Sequence, residues 1–276
     1  MKKRLDQILL DNSLVENRSK ARGLIVDGKV LVNNIKETKP GTLFDENINN
    51  ITIINNDKNF VSRAGEKLQK AVENWKLDLN DLICLDIGSS TGGFTDCCLR
   101  NNAKLVYAVD VGTNQLDWKI RSNPKVISME KTNFRYVTKD NFNHGDIDFF
   151  CCDVSFISVE KILPALSKIL QINVKGVILI KPQFESERDI VKNGRVNGVE
   201  NHITAIKNVF KYALENNFSV DKLDYSPILG NKKSNIEYIC LLSYNNDPKI
   251  KVSDQEVLDV VNLADKNLLK KEANNE

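Results

Sequence analysis

The sequence predicts an α/β protein: a main domain built on a parallel sheet with helices on both faces, preceded by a small α+β unit. Three observations predict it. From Leu82 onward, short apolar segments alternate with helical stretches, the pattern of strand-helix-strand repeats. The first of these segments runs directly into a glycine-rich loop, Asp86-Ile87-Gly88-Ser89-Ser90-Thr91-Gly92-Gly93-Phe94. The first 55 or so residues carry caps, turns and apolar segments of their own, distinct in pattern from the rest. With 276 residues, 41% of them hydrophobic, the chain can build one large core or two unequal ones, which excludes a disordered or fibrous protein.

The N-terminal unit opens with Leu5, Ile8 and Leu9 at helical spacing. A second helix spans Arg18 to Val26, with Asn17 as its cap, Ala21, Leu24 and Ile25 on one face, and Asp27-Gly28 as a left-handed stop. A strand Val30-Leu31-Val32 follows, Asn33-Asn34 supplies a tight turn and Pro40-Gly41 another, and Asn50 to Ile54 closes the unit as a strand. Residues 57–62 connect it to the main domain.

In the main domain the expected strands are Ile83 to Ile87, Leu105 to Val109, Val126 to Met129, Asp148 to Cys152 and Val177 to Ile180. A late strand, Glu237 to Leu242, lacks a following crossover and is expected antiparallel at the sheet. Asp254 to Lys271 carries a helical rhythm that frays toward Glu276. The implied organisation is residues 1–56, a linker 57–62, a domain 63–245 and a C-terminal helix and tail 246–276.

Lysine plus arginine, 39, nearly balances aspartate plus glutamate, 37, so a nucleic-acid partner has to be held by a local patch. Such a patch is present: Lys2, Lys3, Arg4, Arg18, Lys20, Arg22 and Lys29 crowd the two N-terminal helices. It fits either a solvated face or a surface that tracks phosphates. The six cysteines lack CxxC spacing and sit in apolar runs such as Phe149-Phe150-Cys151-Cys152, so they read as small hydrophobes, with no metal site. The absence of a long apolar run and of a leader-like start reads as a cytoplasmic chain with no membrane partner.

Ligands of open α/β sheets bind beyond the carboxyl ends of the strands. The glycine-rich loop is neither a Walker loop, since no lysine follows Gly93, nor GxGxxG, since Ser90 stands at the second glycine position. Asp110 ends the second strand 24 residues beyond Asp86, where a carboxylate reaches a ribose diol, a reading favoured over its merely capping the next helix. A diol acceptor beside a polar, phosphate-free loop makes S-adenosyl-L-methionine the leading ligand. Two further strand ends carry Asp153-Val154-Ser155-Phe156-Ile157-Ser158 and Lys181-Pro182-Gln183-Phe184-Glu185. A lysine behind an apolar strand, beside an aspartate, has a tunable proton, as general-base chemistry requires.

Arg4-Leu5-Asp6, Arg18 to Ile25 and Gly28 to Asn33 resemble the small RNA-binding domain named after ribosomal small-subunit protein four, with Asn34 where glycine is more frequent. Val61 to Leu68, the Asp86 to Thr95 loop, Asp153 to Ser158, Lys181 to Glu185, Gly230-Asn231 and Asn235-Ile236-Glu237 resemble the FtsJ-like RNA ribose 2′-O-methyltransferases. Both together resemble the TlyA family. The resemblance implies a Rossmann-like class I methyltransferase fold and a catalytic group of Lys67, Asp153, Lys181 and Glu237. It places Gly88, Ser89, Thr91, Gly92, Phe94, Asp110 and Asp153 around S-adenosyl-L-methionine, with Asn133 near the adenine. Lys3, Arg4, Arg18, Lys20, Arg22 and Lys29 are the expected RNA contacts. Lys181 is assigned as base or hydroxyl-orienting group, Asp153 and Glu237 as its tuners and Lys67 as the nucleotide-orienting group. The implied substrate is a cytidine ribose in ribosomal RNA, of the large subunit or of both, bound by a monomer. The competing classes are a membrane-active hemolysin, disfavoured by the charges Asp259, Asp265 and Lys266 in the terminal helix, and a non-catalytic ribosome-binding factor, disfavoured by retention of the four catalytic residue types.

Overall fold

Residues 2–12, 14–15, 17–46, 48, 50–53, 60–230 and 235–269 are described by a computed structural model. The chain divides into two units, Met1–Asn59 and Phe60–Glu276.

In the first unit β1 (Lys2–Arg4) leads into α1 (Leu5–Asp11), followed by α2 (Arg18–Val26), β2 (Val30–Val32), β3 (Ile35–Glu37), β4 (Leu43–Asp45) and β5 (Ile51–Ile53). The Asn17 side chain accepts the Lys20 N–H at 2.8 Å and so satisfies one free donor at the start of α2. Gly28, at φ +65°, ends that helix, and Asn33 and Asn34, at +52° and +65°, turn β2 back onto β3. Strand β2 lies between β3 and β5, all antiparallel, while β1 pairs with β4. Leu5, Leu9, Ala21, Ile25, Val30 and Val32 form the core. Strands β1, β3 and β4 were not expected: three residues each, reading Lys-Lys-Arg, Ile-Lys-Glu and Leu-Phe-Asp, they are too short and charged to show alternation. Ile54, expected in the last strand, lies outside the described residues, as do residues 57–59 of the expected linker.

The second unit comprises α3 (Ala64–Trp75), β6 (Ile83–Ile87), α4 (Gly93–Arg100), β7 (Leu105–Val109), α5 (Trp118–Arg121), β8 (Val126–Met129), β9 (Phe149–Cys152), α6 (Leu163–Ile169) and β10 (Lys175–Ile180). After these come α7 (Pro182–Glu185), α8 (Val199–Glu215), β11 (Phe218–Tyr225), β12 (Tyr238–Tyr244) and α9 (Asp254–Ala264). The strands form one sheet in the order β11-β12-β10-β9-β6-β7-β8. The five expected strands are parallel neighbours, with Leu85 opposite Tyr107 and Phe150. The sheet is mixed, because the late strand runs antiparallel as expected: β12 runs against both β10 and β11. Strand β11 was not expected, because Asp221, Lys222 and Asp224 interrupt its apolar pattern and a bulge between Val220 and Lys222 shifts the alternation.

Apolar side chains alternate across this sheet. Leu85, Tyr107, Phe150, Cys152, Ile178 and Ile180 pack on one face against α6, α8 and α9, through residues such as Leu166, Val209 and Val257. Cys84, Val106, Phe149, Cys151, Val177 and Leu179 pack on the other against α3 and α4, through Leu68, Val72 and Cys97. Each such fully buried aliphatic side chain contributes about 2 kcal/mol, and two covered faces explain why these strands read as continuous apolar runs. All six cysteines are free and buried. Helix α9 begins in a reciprocal Ser253–Glu256 cap and continues as a π-helical turn, Asp265–Leu269; the remainder of the expected helix and tail lies outside the described residues.

Candidate active site

The carboxyl ends of β6, β9 and β10 converge with the first turns of α3 and the start of β12. After β6 the chain turns at Gly88, φ +82°, where a Cβ would stand 2.8 Å from the Asp153 carbonyl oxygen; only glycine allows the two strand ends to approach so closely. Gly92, φ +93°, then caps α4. Asp110, at the end of β7, accepts the backbone N–H groups of Ser90 at 2.8 Å and Gly112 at 2.7 Å, so its carboxylate stitches the loop after β6 to the loop after β7. Beneath the loop, Thr95 donates to the buried Asp86 at 2.6 Å. Burial pushes the Asp86 carboxyl up to about 7, against that hydrogen bond, with the charges of Asp153 and Asp110 adding to the rise.

Four charged side chains from four elements meet at these strand ends. Lys67 of α3 donates to Glu237 at 2.6 Å and approaches Asp153 at 3.5 Å. Lys181 meets Asp153 at 2.5 Å and donates to Ser155 at 2.8 Å. Lys67, Lys181 and Glu237 are only 7%, 6% and 3% exposed. Two ammonium groups on two carboxylates make the cluster neutral, which offsets much of the cost of taking it out of water. Burial opposes the Lys67 ammonium, but Asp153 and Glu237 more than reverse this and hold its pKa above the ordinary lysine value. Burial likewise opposes the Asp153 carboxylate, and the two lysines more than compensate, holding its pKa below the ordinary range.

These groups line one cavity of about 600 Å³ together with Ser62, Gly88, Ser89, Thr91, Phe94, Ser155, Gln183 and Asn235. The Ser89 hydroxyl and the Gln183 amide oxygen are buried without a hydrogen-bond partner among the described residues, so both have capacity to spare for a ligand. All four expected catalytic residues thus come together, with Gly88, Ser89, Thr91 and Phe94 of the expected cofactor set. Gly92, Asp110 and Asn133 do not line this cavity. The Asn133 carboxamide oxygen is engaged locally, accepting the Arg135 backbone N–H at 3.2 Å and its guanidinium at 3.1 Å. Asn231, part of the quoted motif before Glu237, lies outside the described residues. Sequence reasoning did not single out Ser155 as a partner of Lys181, because that pairing depends on how two loops fold.

Among the expected RNA contacts, Arg4, Arg18 and Arg22 converge on Asp6, which is wholly buried. Arg4 reaches its carboxylate at 3.0 and 3.1 Å, Arg18 at 3.1 and 3.4 Å, and Arg22 at 3.1 Å. These hydrogen bonds, that of Arg4 foremost, outweigh the effect of burial and hold the carboxyl well below the usual range. Three half-exposed guanidinium groups on one carboxylate leave a net positive face. Lys3 pairs with Asp11 and Glu46, Lys29 pairs with Asp27, and Lys20 stands in the first turn of α2. The organising role of Asp6 was not read from the sequence, since Arg18 and Arg22 stand 12 and 16 residues away from it.

This arrangement, a mixed α/β sheet with a neutral Lys-Asp-Lys-Glu group and a glycine-rich loop at its strand ends, is that of a group-transfer enzyme. Residues 60–244 match the family model of the FtsJ-like methyltransferases, and residues 3–47 match that of the S4 domain. The chain belongs to the FtsJ-like methyltransferase family and, within it, to the TlyA group. It is 42% identical to Hemolysin A of Brachyspira hyodysenteriae over 86% of this chain and 98% of that protein. It is 33% identical to the 16S/23S rRNA (cytidine-2′-O)-methyltransferase TlyA of Mycobacterium tuberculosis, over 88% of this chain and 91% of that one. A solved structure from Streptococcus thermophilus, carrying the name hemolysin, is 42% identical and superposes with a TM-score of 0.77, covering 99% of this chain and 98% of its own. Among the described residues, no helix is long and apolar enough to cross a membrane.

Proposed function

We propose that this chain is an S-adenosyl-L-methionine-dependent 2′-O-methyltransferase acting on a cytidine ribose of ribosomal RNA, of the large subunit or of both subunits. The observation that carries the reading is the gathering of Lys67, Asp153, Lys181 and Glu237 in one cavity beside the glycine-rich loop. The loop suits the cofactor: Gly88 leaves its backbone open to close approach, the Ser89 hydroxyl has no hydrogen-bond partner among the described residues, and Asp110 offers a carboxylate at the next strand end. Gly88, Ser89, Thr91, Gly92, Phe94, Asp110, Asn133 and Asp153 would hold it. When bound, S-adenosyl-L-methionine supplies a methyl carbon activated by a sulfonium.

Lys181 grips the ribose 2′-oxygen and, in its neutral form, removes the hydroxyl proton. Asp153, between the two lysines, fixes Lys181 at 2.5 Å. Lys67 stays an ammonium, locked on Glu237, and orients the target nucleotide. Alignment of the hydroxyl supplies much of the acceleration. Because sequence-specific RNA recognition targets unstacked nucleotides, the target ribose is presented from a flipped or looped position. Arg4, Arg18 and Arg22, with Lys3, Lys20 and Lys29, dock RNA phosphates on the N-terminal unit.

The enzyme works as a monomer in the cytoplasm, with residues 1–56 as RNA-docking unit, 57–62 as linker, 63–245 as catalytic domain and 246–276 as C-terminal helix and tail. The test is methyl transfer from labelled S-adenosyl-L-methionine to separately purified ribosomal subunits, with the modified nucleotide mapped by mass. Label on a cytidine ribose is expected. No label on either subunit, with cofactor binding intact, would overturn the reading.

A further inference from the structure

We infer that Ser155 is a positioning residue for Lys181, fixing the direction in which the lysine nitrogen meets the 2′-hydroxyl; this rests on the methyltransferase reading above. A lysine nitrogen has three tetrahedral positions beyond its own carbon. In Lys181 one is taken by Asp153 at 2.5 Å and a second by the Ser155 hydroxyl oxygen at 2.8 Å. The third is thereby set, and both Lys181 and Ser155 line the cavity. The geometry holds in either protonation state: the third position is an N–H that grips the 2′-oxygen in the ammonium and a lone pair that receives the proton in the amine. Asp153 alone would leave the nitrogen free to rotate about one contact.

The loop that carries Ser155 is built to hold it there. Phe156, the next residue, is 92% exposed and sits at φ +65°, a backbone conformation disfavoured for a bulky residue, which persists only where the surroundings enforce it. The enforcement comes from Glu185, four residues beyond Lys181, whose carboxylate accepts from the Ser158 hydroxyl at 2.5 Å and the Val159 N–H at 3.0 Å. One buried carboxylate therefore ties the loop bearing Ser155 to the helical turn that follows Lys181. Ser155 itself is exposed within the cavity, so its hydroxyl contributes little to the core.

The experiment compares wild type, Ser155→Ala and Ser155→Thr by single-turnover methyl transfer to ribosomal subunits and by ¹⁵N-lysine spectra of the cofactor-free protein. The Ser155→Ala variant is expected to lose on the order of tenfold in kcat, with the KM values for cofactor and subunit within about twofold, and Ser155→Thr to recover most of the loss. In the spectra, the Lys181 ammonium signal, assigned by its loss in Lys181→Arg, is expected to exchange slowly in wild type and Ser155→Thr and fast in Ser155→Ala. Wild-type kcat in Ser155→Ala, or ammonium exchange unchanged by that substitution, would overturn the inference. A wild-type enzyme inert on both subunits would instead count against the methyltransferase reading, and the lysine spectra would still decide the role of Ser155.

Discussion

Two aspartates organise the two charged clusters of this molecule, and they do so to opposite ends. Asp153 gathers two lysines that are less than a tenth exposed, with Glu237 as a second carboxylate, so the cluster is neutral and enclosed. Asp6 gathers three arginines whose side chains are 44–55% exposed, so that cluster is net positive and faces water. The first geometry suits chemistry on one hydroxyl, where each proton must be placed. The second suits a polyanion, where rigid guanidinium forks offer bidentate contacts and bulk water remains a competitor. Burial of the central carboxylate is common to both; the counter-charge and its exposure decide what each can do.

The comparison breaks most readily at Lys181. Lys181→Ala is expected to reduce methyl transfer about a thousandfold, the scale of losing an acid-base group, while cofactor affinity stays within about threefold. Rapid-quench assays beside calorimetric titration of cofactor check both numbers. Normal turnover in that variant would remove Lys181 from the chemistry.

At the other cluster, Asp6→Asn keeps the shape and removes the charge that fans the three arginines. The loss is expected to be about 2–3 kcal/mol in the N-terminal unit, the worth of hydrogen bonds to a buried charge, together with a clear fall in RNA affinity at fixed salt. Denaturant unfolding and filter binding measure the two. The pH dependence follows from the depressed Asp6 carboxyl: its contribution is fully present above the ordinary carboxyl range, near pH 4, and is lost as the pH falls below it. An unfolding curve for Asp6→Asn that keeps the wild-type acid limb would show that the stabilisation lies elsewhere. Removing residues 1–55 should weaken RNA binding while leaving the main domain folded; unchanged affinity at matched salt would end the division of labour between the two clusters.

Much of this was legible in the sequence, for reasons tied to particular residues. Parallel strands covered on both faces read as apolar runs, so Ile83–Ile87 and Phe149–Cys152 announce themselves, and Asn17, Gly28 and the Asn33-Asn34 pair state their turns by residue type. Strand β11 did not, because it lies next to β12 with charged residues along half its length. At the site, residue types at strand ends pointed to Asp153 and Lys181, and the family resemblance implied Lys67 and Glu237. Their pairing was not legible: which lysine meets which carboxylate, that Ser155 holds Lys181, and that Asp6 holds three arginines are properties of loops and helices brought together from distant positions.

Asp86 sharpens the contrast, being wholly buried with a hydroxyl partner and, among the described residues, no cation in an ion pair with it. Its carboxyl is raised to about 7 where an unfolded chain would ionise near 4, so the folded state holds the extra proton. The stability it provides is complete below about pH 4 and is lost as the pH rises toward 7. Asp86→Asn, neutral throughout, should flatten this part of the stability profile; denaturant midpoints taken at half-unit pH intervals would show it. A variant profile as steep as the wild type between pH 4 and 7 would place the titration in another group.

The smallest expected effect separates two roles within one side chain. The Asn133 oxygen is occupied by the Arg135 backbone and guanidinium groups, which leaves the amide N–H groups as the part able to meet an adenine. Asn133→Asp keeps an acceptor for the turn and loses the donors; Asn133→Ala loses both. If the donors read the cofactor, both variants should bind S-adenosyl-L-methionine about tenfold more weakly, and only Asn133→Ala should also lose about 1 kcal/mol of stability, the worth of a cap. Wild-type affinity in Asn133→Asp with lost stability in Asn133→Ala would leave the residue a turn-former alone. The same logic extends to Asp110, whose carboxylate also serves the backbone through Ser90 and Gly112: a side chain that shapes a loop can serve a ligand only through the lone pairs or protons the loop leaves over.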